Sequence, residues 1–151
     1  MKRALIVGID AYRGASLQGC VSDAVALGEL LGRDEDGSPN FTVKLVTAPE
    51  ATIQQRTLKR QLIALFEEPC DAALFYFAGH GTITGTGGYL VTPDYQDGDE
   101  GISMDEVLKL ANRSPVRNKI VILDCCHSGA FGNAFGDDGG HTEVAPGVTS
   151  V

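Results

Sequence analysis

Residues 72–78 read Ala-Ala-Leu-Phe-Tyr-Phe-Ala, seven successive positions without a charge. A strand with one wet face alternates apolar and polar residues, so a run with no alternation has to be covered on both sides. Residues 2–9 follow the same pattern after Lys2 and Arg3, residues 120–123 (Ile-Val-Ile-Leu) repeat it, and residues 41–47 are a further strand candidate. Helical spacings separate these runs. Val21, Ala24, Val25, Gly28 and Leu31 share one face over residues 21–31. Thr52-Ile53-Gln54-Gln55 has the form of a capping box, with Leu58, Leu62, Leu65 and Phe66 on one face after it. Ser103-Met104-Asp105-Glu106 repeats the box, with Met104, Val107, Leu108 and Ala111 as the apolar stripe. Residues 79–88 read as a Gly/Thr loop and residues 89–91 as a short strand. Both-face strands alternating with helices predict an α/β fold: a mostly parallel sheet with helices on both faces.

Ligands of such sheets bind outside the carboxyl ends of the strands. That places interest on Asp10, on Gly79-His80-Gly81 and on Asp124-Cys125-Cys126-His127, each just past a predicted strand. A thiol and an imidazole on neighbouring strand ends supply a nucleophile and a proton carrier, and glycines beside them leave backbone N–H groups open to an oxyanion. Taken singly, each residue also has a plainer reading. His80 fits a loop histidine, Asp23 a helix cap, and Asp124 a turn brace. One of Cys125 and Cys126 should pack inward, because adjacent residues at a strand end point to opposite sides. Cys70 reads as a packing residue, and His127 and His141 as bystanders. A zinc site from His80, Cys125, Cys126 and His127 lacks a second paired-ligand motif.

Tyr76-Phe77-Ala78-Gly79-His80-Gly81 followed by Asp124-Cys125-Cys126-His127-Ser128-Gly129 resembles the caspase–metacaspase group of cysteine peptidases. The match is to its metacaspase and bacterial caspase-like (orthocaspase-type) branch. Gly19-Cys20-Val21-Ser22-Asp23-Ala24 is similar to that branch's Gly-Cys-x-Asn-Asp-Ala stretch, with Ser22 in place of Asn. The resemblance implies a caspase-like three-layer sandwich and a cysteine endopeptidase. It implies His80 and Cys126 as the catalytic dyad, with Cys125 at the family's usual serine position. Gly81 and Cys126 would form the oxyanion hole by their N–H groups. Asp23, Asp124 and Cys20 would line the S1 pocket. Two carboxylates in a concavity favour a guanidinium or ammonium, so cleavage after Arg, then Lys, is expected. Arg13 is the nearest basic residue that would argue for an acidic P1 instead. A non-catalytic caspase-like scaffold is the alternative function, against which the retention of both His and Cys argues. A flavodoxin-like ligand-binding domain is a weaker one, since Gly8-Ile9-Asp10 breaks the phosphate-loop patterns.

The resemblance also sets expectations about cofactors and partners. Many metacaspases use calcium. Asp94 and Asp105 stand where ligands would fall, yet Met104 interrupts the family's aspartate pair, and calcium needs six to eight oxygens. Asp97, Asp99 and Glu100 could supply further oxygens but read rather as a solvated acidic loop, so the calcium site is incomplete and no cofactor is expected. Residues 1–129 read as a p20-like catalytic region and residues 130–151, rich in Gly and acidic residues, as a flexible linker or tail. Caspase-like sheets continue with further strands after the nucleophile, so the fold is expected to be incomplete on its C-terminal side. The chain reads as a processed subunit or piece of a larger protein, and a p10-like segment or regulatory domain is expected to pair beside residues 120–123. The net charge of −8 excludes a nucleic-acid partner, for want of a basic stripe, and suits a basic peptide substrate. No apolar run is long enough for a membrane span, and the run after Arg3 ends at Asp10, too short for a secretory leader. A cytoplasmic protein without disulfides is expected from its four cysteines, none in a CxxC pair.

Overall fold

A computed structural model describes residues 1–125 and 148–150 of the chain. The elements run β1 (Lys2–Ile9), α1 (Cys20–Gly32), β2 (Phe41–Ala48), α2 (Gln55–Glu67), β3 (Ala72–Ala78), β4 (Gly81–Thr84), β5 (Gly87–Gln96), β6 (Asp99–Ser103), α3 (Met104–Arg113), β7 (Asn118–Asp124) and β8 (Val148–Ser150). β2-β1-β3-β7-β8 form a five-stranded sheet, parallel throughout. Every residue of β3, the central strand, is buried. Side chains of Leu5, Val7, Phe75, Phe77 and Val121 enter one core with Leu58, Leu62, Met104 and Val107 of α2 and α3. Ala4, Ile6, Leu74 and Tyr76 enter the other, against Ala24 of α1. The α/β expectation, with helices on both faces of a parallel sheet, therefore holds. Full burial of each large side chain contributes about 1.5–3 kcal/mol, so Phe75 and Phe77 alone make β3 costly to displace.

The strand ends are level. Gly8 of β1 pairs with Ala78 of β3, and Ala78 with Asp124 of β7. Gly8 also allows α1 to lie on the sheet, because a Cβ there would sit 2.5 Å from the Cys20 carbonyl oxygen and 2.7 Å from Ala24 Cβ. Asp10 then fastens α1: its carboxylate accepts from the Cys20 N–H (3.0 Å) and the Val21 N–H (3.3 Å). Negative charge at two open N–H groups of a helix start is favourable for both dipole and hydrogen-bond reasons.

Four details differ from the sequence reading. The region from residue 81 to 103, read as a Gly/Thr loop and a hairpin with one short strand, is a three-stranded antiparallel sheet, β4-β5-β6. Its Gly and Thr content hides an alternation that emerges only when the strands pair. The box at Thr52 is not used; α2 begins after Gln54, and the Gln55 N–H goes to Asp94 Oδ1 (3.1 Å) on β5. A carboxylate distant in sequence has displaced the local hydroxyl. Ile120 and Ile122 are only half-buried, because α1 covers the sheet over β1, β2 and β3 but not β7. Val148–Ser150, within the stretch read as linker or tail, pair with Lys119, Ile120 and Val121. Three residues are too few to leave a periodic signature. The second box fares better: Ser103 Oγ accepts from the Glu106 N–H, and Met104, Val107, Leu108 and Ala111 are all buried.

No described helix is long and apolar enough to cross a membrane.

Gly8→Ala is expected to lower stability by about 1–3 kcal/mol, as overpacking does, seen as a lower urea midpoint with unchanged slope. An unaltered midpoint would mean that α1 is not held tightly on β1.

Candidate active site

His80 sits two residues beyond the buried end of β3 and one before β4. Its ring is fixed on two sides. Nε2 lies 2.6 Å from the Ala15 carbonyl oxygen, which can only accept, so Nε2 carries the hydrogen and Nδ1 keeps the lone pair in the neutral ring. The Tyr12 ring meets the imidazole edge-on, centroids 4.6 Å apart and planes at 61°. The backbone is held as firmly. The His80 N–H donates to Tyr12 Oη (3.0 Å), Tyr12 Oη donates to the Val91 carbonyl (2.9 Å), and the Val91 N–H returns to the His80 carbonyl (2.9 Å). Tyr12 is 3% exposed, and burial drives its hydroxyl far above the ordinary phenol range, so it remains a neutral donor and acceptor. Gly79 is required here, since a Cβ would run into Tyr12 Oη.

Tyr12, Ala15, His80, Gly81, Tyr95 and Glu100 border a cleft of about 280 Å³. A larger groove of about 570 Å³ lies between β2 and α2, among Arg3, Lys44 and Arg60, and its walls hold neither thiol nor imidazole.

On the α1 side of the strand ends the structure gathers Asp23, Asp124 and Cys20. Burial first, then the charge and hydrogen bond of Asp10, then the charges of Asp124 and Asp23, push the Cys20 thiol up from 9.0 to about 11. Tyr76 donates to Asp124 Oδ2 (3.3 Å), and burial with the charges of Asp124 and Asp23 raises its phenol as well. Asp23 and Asp124 are exposed, and neither takes part in an ion pair among the described residues. Asp23 does not cap α1; Asp10 does. The arrangement is an acidic, solvent-open patch whose two carboxylates have no cation partner among the described residues.

Gly81 opens β4 and borders the cleft. Cys125 is half-buried and packs against the α2–α3 core. Cys126, His127 and His141 lie outside the described residues. Cys70 is partly buried, with its Sγ 3.3 Å from the Ala72 carbonyl. The two aspartates set where calcium ligands would fall are engaged elsewhere: Asp94 caps α2, and Asp105 pairs with Lys109 at 2.6 Å. Among the described residues no group of three or more metal-ligating side chains converges.

Sequence reasoning missed Tyr12, the Ala15 carbonyl and the role of Tyr76, and read Glu100 only as part of an acidic loop. A buried tyrosine in a polar loop hints at a hydrogen-bonding role, but which backbone groups it joins depends on the chain returning 68 and 79 residues later.

A family model for the caspase domain matches residues 1–149. The chain is similar to Metacaspase-3 of Arabidopsis thaliana, 29% identical over 147 residues, which cover 85% of this chain and 40% of that protein. The chain thus spans less than half the length of that relative.

Tyr12→Phe leaves the His80 N–H and the Val91 carbonyl without their buried partner, and is expected to cost about 1–3 kcal/mol in urea unfolding. The Cys20 shift has a definite sign. Below pH 9 both folded and unfolded thiols are protonated. Between 9.0 and about 11 only the unfolded one ionises, so stability falls as pH rises through that window. Cys20→Ala should flatten the decline of the urea midpoint across this range. An identical decline in both proteins would show that neither burial nor the neighbouring carboxylates raise the Cys20 thiol.

Proposed function

Because the chain belongs to the caspase-domain family of peptidases, we propose that it carries the His/Cys-bearing part of a cysteine endopeptidase that cleaves after Arg, or secondarily Lys. The observation that carries the reading is the pairing of Ala78 with Asp124 on adjacent strands. His80 follows the first by two residues and Cys126 follows the second by two, so imidazole and sulfur come from neighbouring strand ends at equal chain distance.

In the proposed reaction the Cys126 sulfur attacks the peptide carbonyl after its proton has passed to Nδ1 of His80. The N–H groups of Gly81 and Cys126 receive the oxyanion. His80 then gives the proton to the leaving amine, and the carbon–nitrogen bond breaks. Water attacks the thioester with His80 as base, which releases the acid and restores the thiol. The Ala15 carbonyl supports the imidazolium by accepting from Nε2–H. Asp23 and Asp124 receive the P1 guanidinium, with Cys20 beside them; the unpaired acidic patch supports this choice. Among the described residues no arginine is ion-paired with Asp23 or Asp124, and Arg13, the nearest basic residue in sequence, is exposed.

A C-terminal p10-like segment or regulatory domain completes the sheet in this reading. β8 covers only Lys119, Ile120 and Val121 of β7, and Ile120 and Ile122 are half-exposed. No cofactor is invoked. The unbridged thiols of Cys20 and Cys70 fit a reducing compartment such as the cytoplasm.

Fluorogenic peptides ending in Arg, Lys or Asp test the proposal. Arg should lead, and Cys126→Ala or His80→Ala should lower kcat by roughly a thousandfold or more. Asp124→Asn should lower kcat/KM for the Arg peptide by about tenfold or more. Equal turnover by Cys126→Ala would remove that sulfur from the mechanism, and a preference for Asp would overturn the basic S1 assignment.

A further inference from the structure

The acidic patch of Asp23 and Asp124 and the 280 Å³ cleft lie on opposite sides of the strand ends. Tyr76 and Cys20 belong to the core on the α1 face, and with them go Asp23 and Asp124. Tyr12, Leu90 and Val91 belong to the core on the α2–α3 face, and the cleft opens beside them. His80 borders the cleft. A general acid has to reach the amine that departs, so it stands on the leaving-group side of the scissile bond. If the residue before that bond lies on the acidic patch, the residues after it run into the cleft.

The far wall of the cleft is built for a particular kind of side chain. Glu100, on β6, is half-buried and is steadied by the Gly98 N–H at 3.1 Å. No ion pair among the described residues uses it. Tyr95, on β5, offers a ring that is 38% exposed. Its hydroxyl donates to the Arg13 carbonyl (3.3 Å), tying this wall to the loop that carries Ala15. An aromatic face beside a steadied carboxylate suits a long cationic side chain: the methylene stem lies on the ring and the charge reaches the carboxylate.

We propose that the cleft between His80 and Glu100 is the leaving-group subsite, and that Glu100 selects a Lys or Arg within the first two residues after the scissile bond. The inference rests on the peptidase reading above and adds a second basic preference across the bond, independent of Asp23 and Asp124.

The test uses internally quenched peptides with Arg before the bond and Lys, Nε-acetyl-lysine or Glu at each of the two following positions. The cleaved bond is identified by mass spectrometry. An Arg–coumarin amide, which has no peptide on the leaving side, is assayed in parallel. At one of the two positions, Lys is expected to exceed acetyl-lysine in kcat/KM by about fivefold at low salt, the size for a half-exposed ion pair. Glu100→Gln should bring that ratio close to one, and Glu100→Lys should turn the preference toward Glu. Cleavage of the coumarin amide without a Lys preference at either position, or with the same ratio in Glu100→Gln, overturns the subsite and leaves the peptidase reading standing. Cleavage of neither the amide nor the peptides by the protein with its sheet completed overturns both.

Discussion

β3 lies out of water along its whole length and is hydrogen-bonded on both sides, to β1 and to β7. A strand so placed cannot slip by one residue without moving its side chains to the other face. Its end therefore fixes where the chain re-emerges, and the in-register neighbours end with it. Gly8, Ala78 and Asp124 form that common line. Every group discussed as chemistry follows it within a few residues or is held against it.

The loops beyond that line are not left to themselves. Asp10 turns the exit of β1 into the cap of α1, which brings Asp23 and Cys20 to the α1 side of the strand ends. Two residues later Tyr12 crosses to the opposite core and joins the His80 N–H to the Val91 carbonyl. One short loop thus serves both sides: a carboxylate for the helix on one face, a buried hydroxyl for the histidine on the other. The His80 imidazole is oriented by the Ala15 carbonyl and the Tyr12 ring, the kind of fixed geometry that the proposed proton transfer would need.

Charge is arranged to match. The chain is acidic overall at −8, and a uniformly acidic surface would say little about function. What gives the charge meaning is its partnering. Asp71, Asp105, Glu68 and Glu106 are matched by cations, and Asp94 by a helix N–H. Asp23, Asp124 and Glu100, around the strand ends, are in no ion pair among the described residues.

The α/β class, the central strand and the stripes of α2 and α3 were legible because burial on both faces and helical periodicity are written into neighbouring residues. So was the family, through two short strings at strand ends and a third near α1. The antiparallel sheet was legible only as a loop and hairpin, since Gly and Thr alternate without contrast, and the cap of α2 was not, since Asp94 reaches the Gln55 N–H across 39 residues. The same limit applies to the site. His80 could be singled out from its glycine neighbours, but its orientation belongs to Tyr12, Ala15 and Val91, and the opposition of acidic patch and cleft belongs to the two faces of the sheet. Sequence by itself determined which segments must be buried and which residue types stand at their ends, because those depend on local hydrophobicity and spacing. Only the tertiary structure decided which polar groups meet there, because such pairings join chain segments far apart in sequence and depend on how the packed layers align.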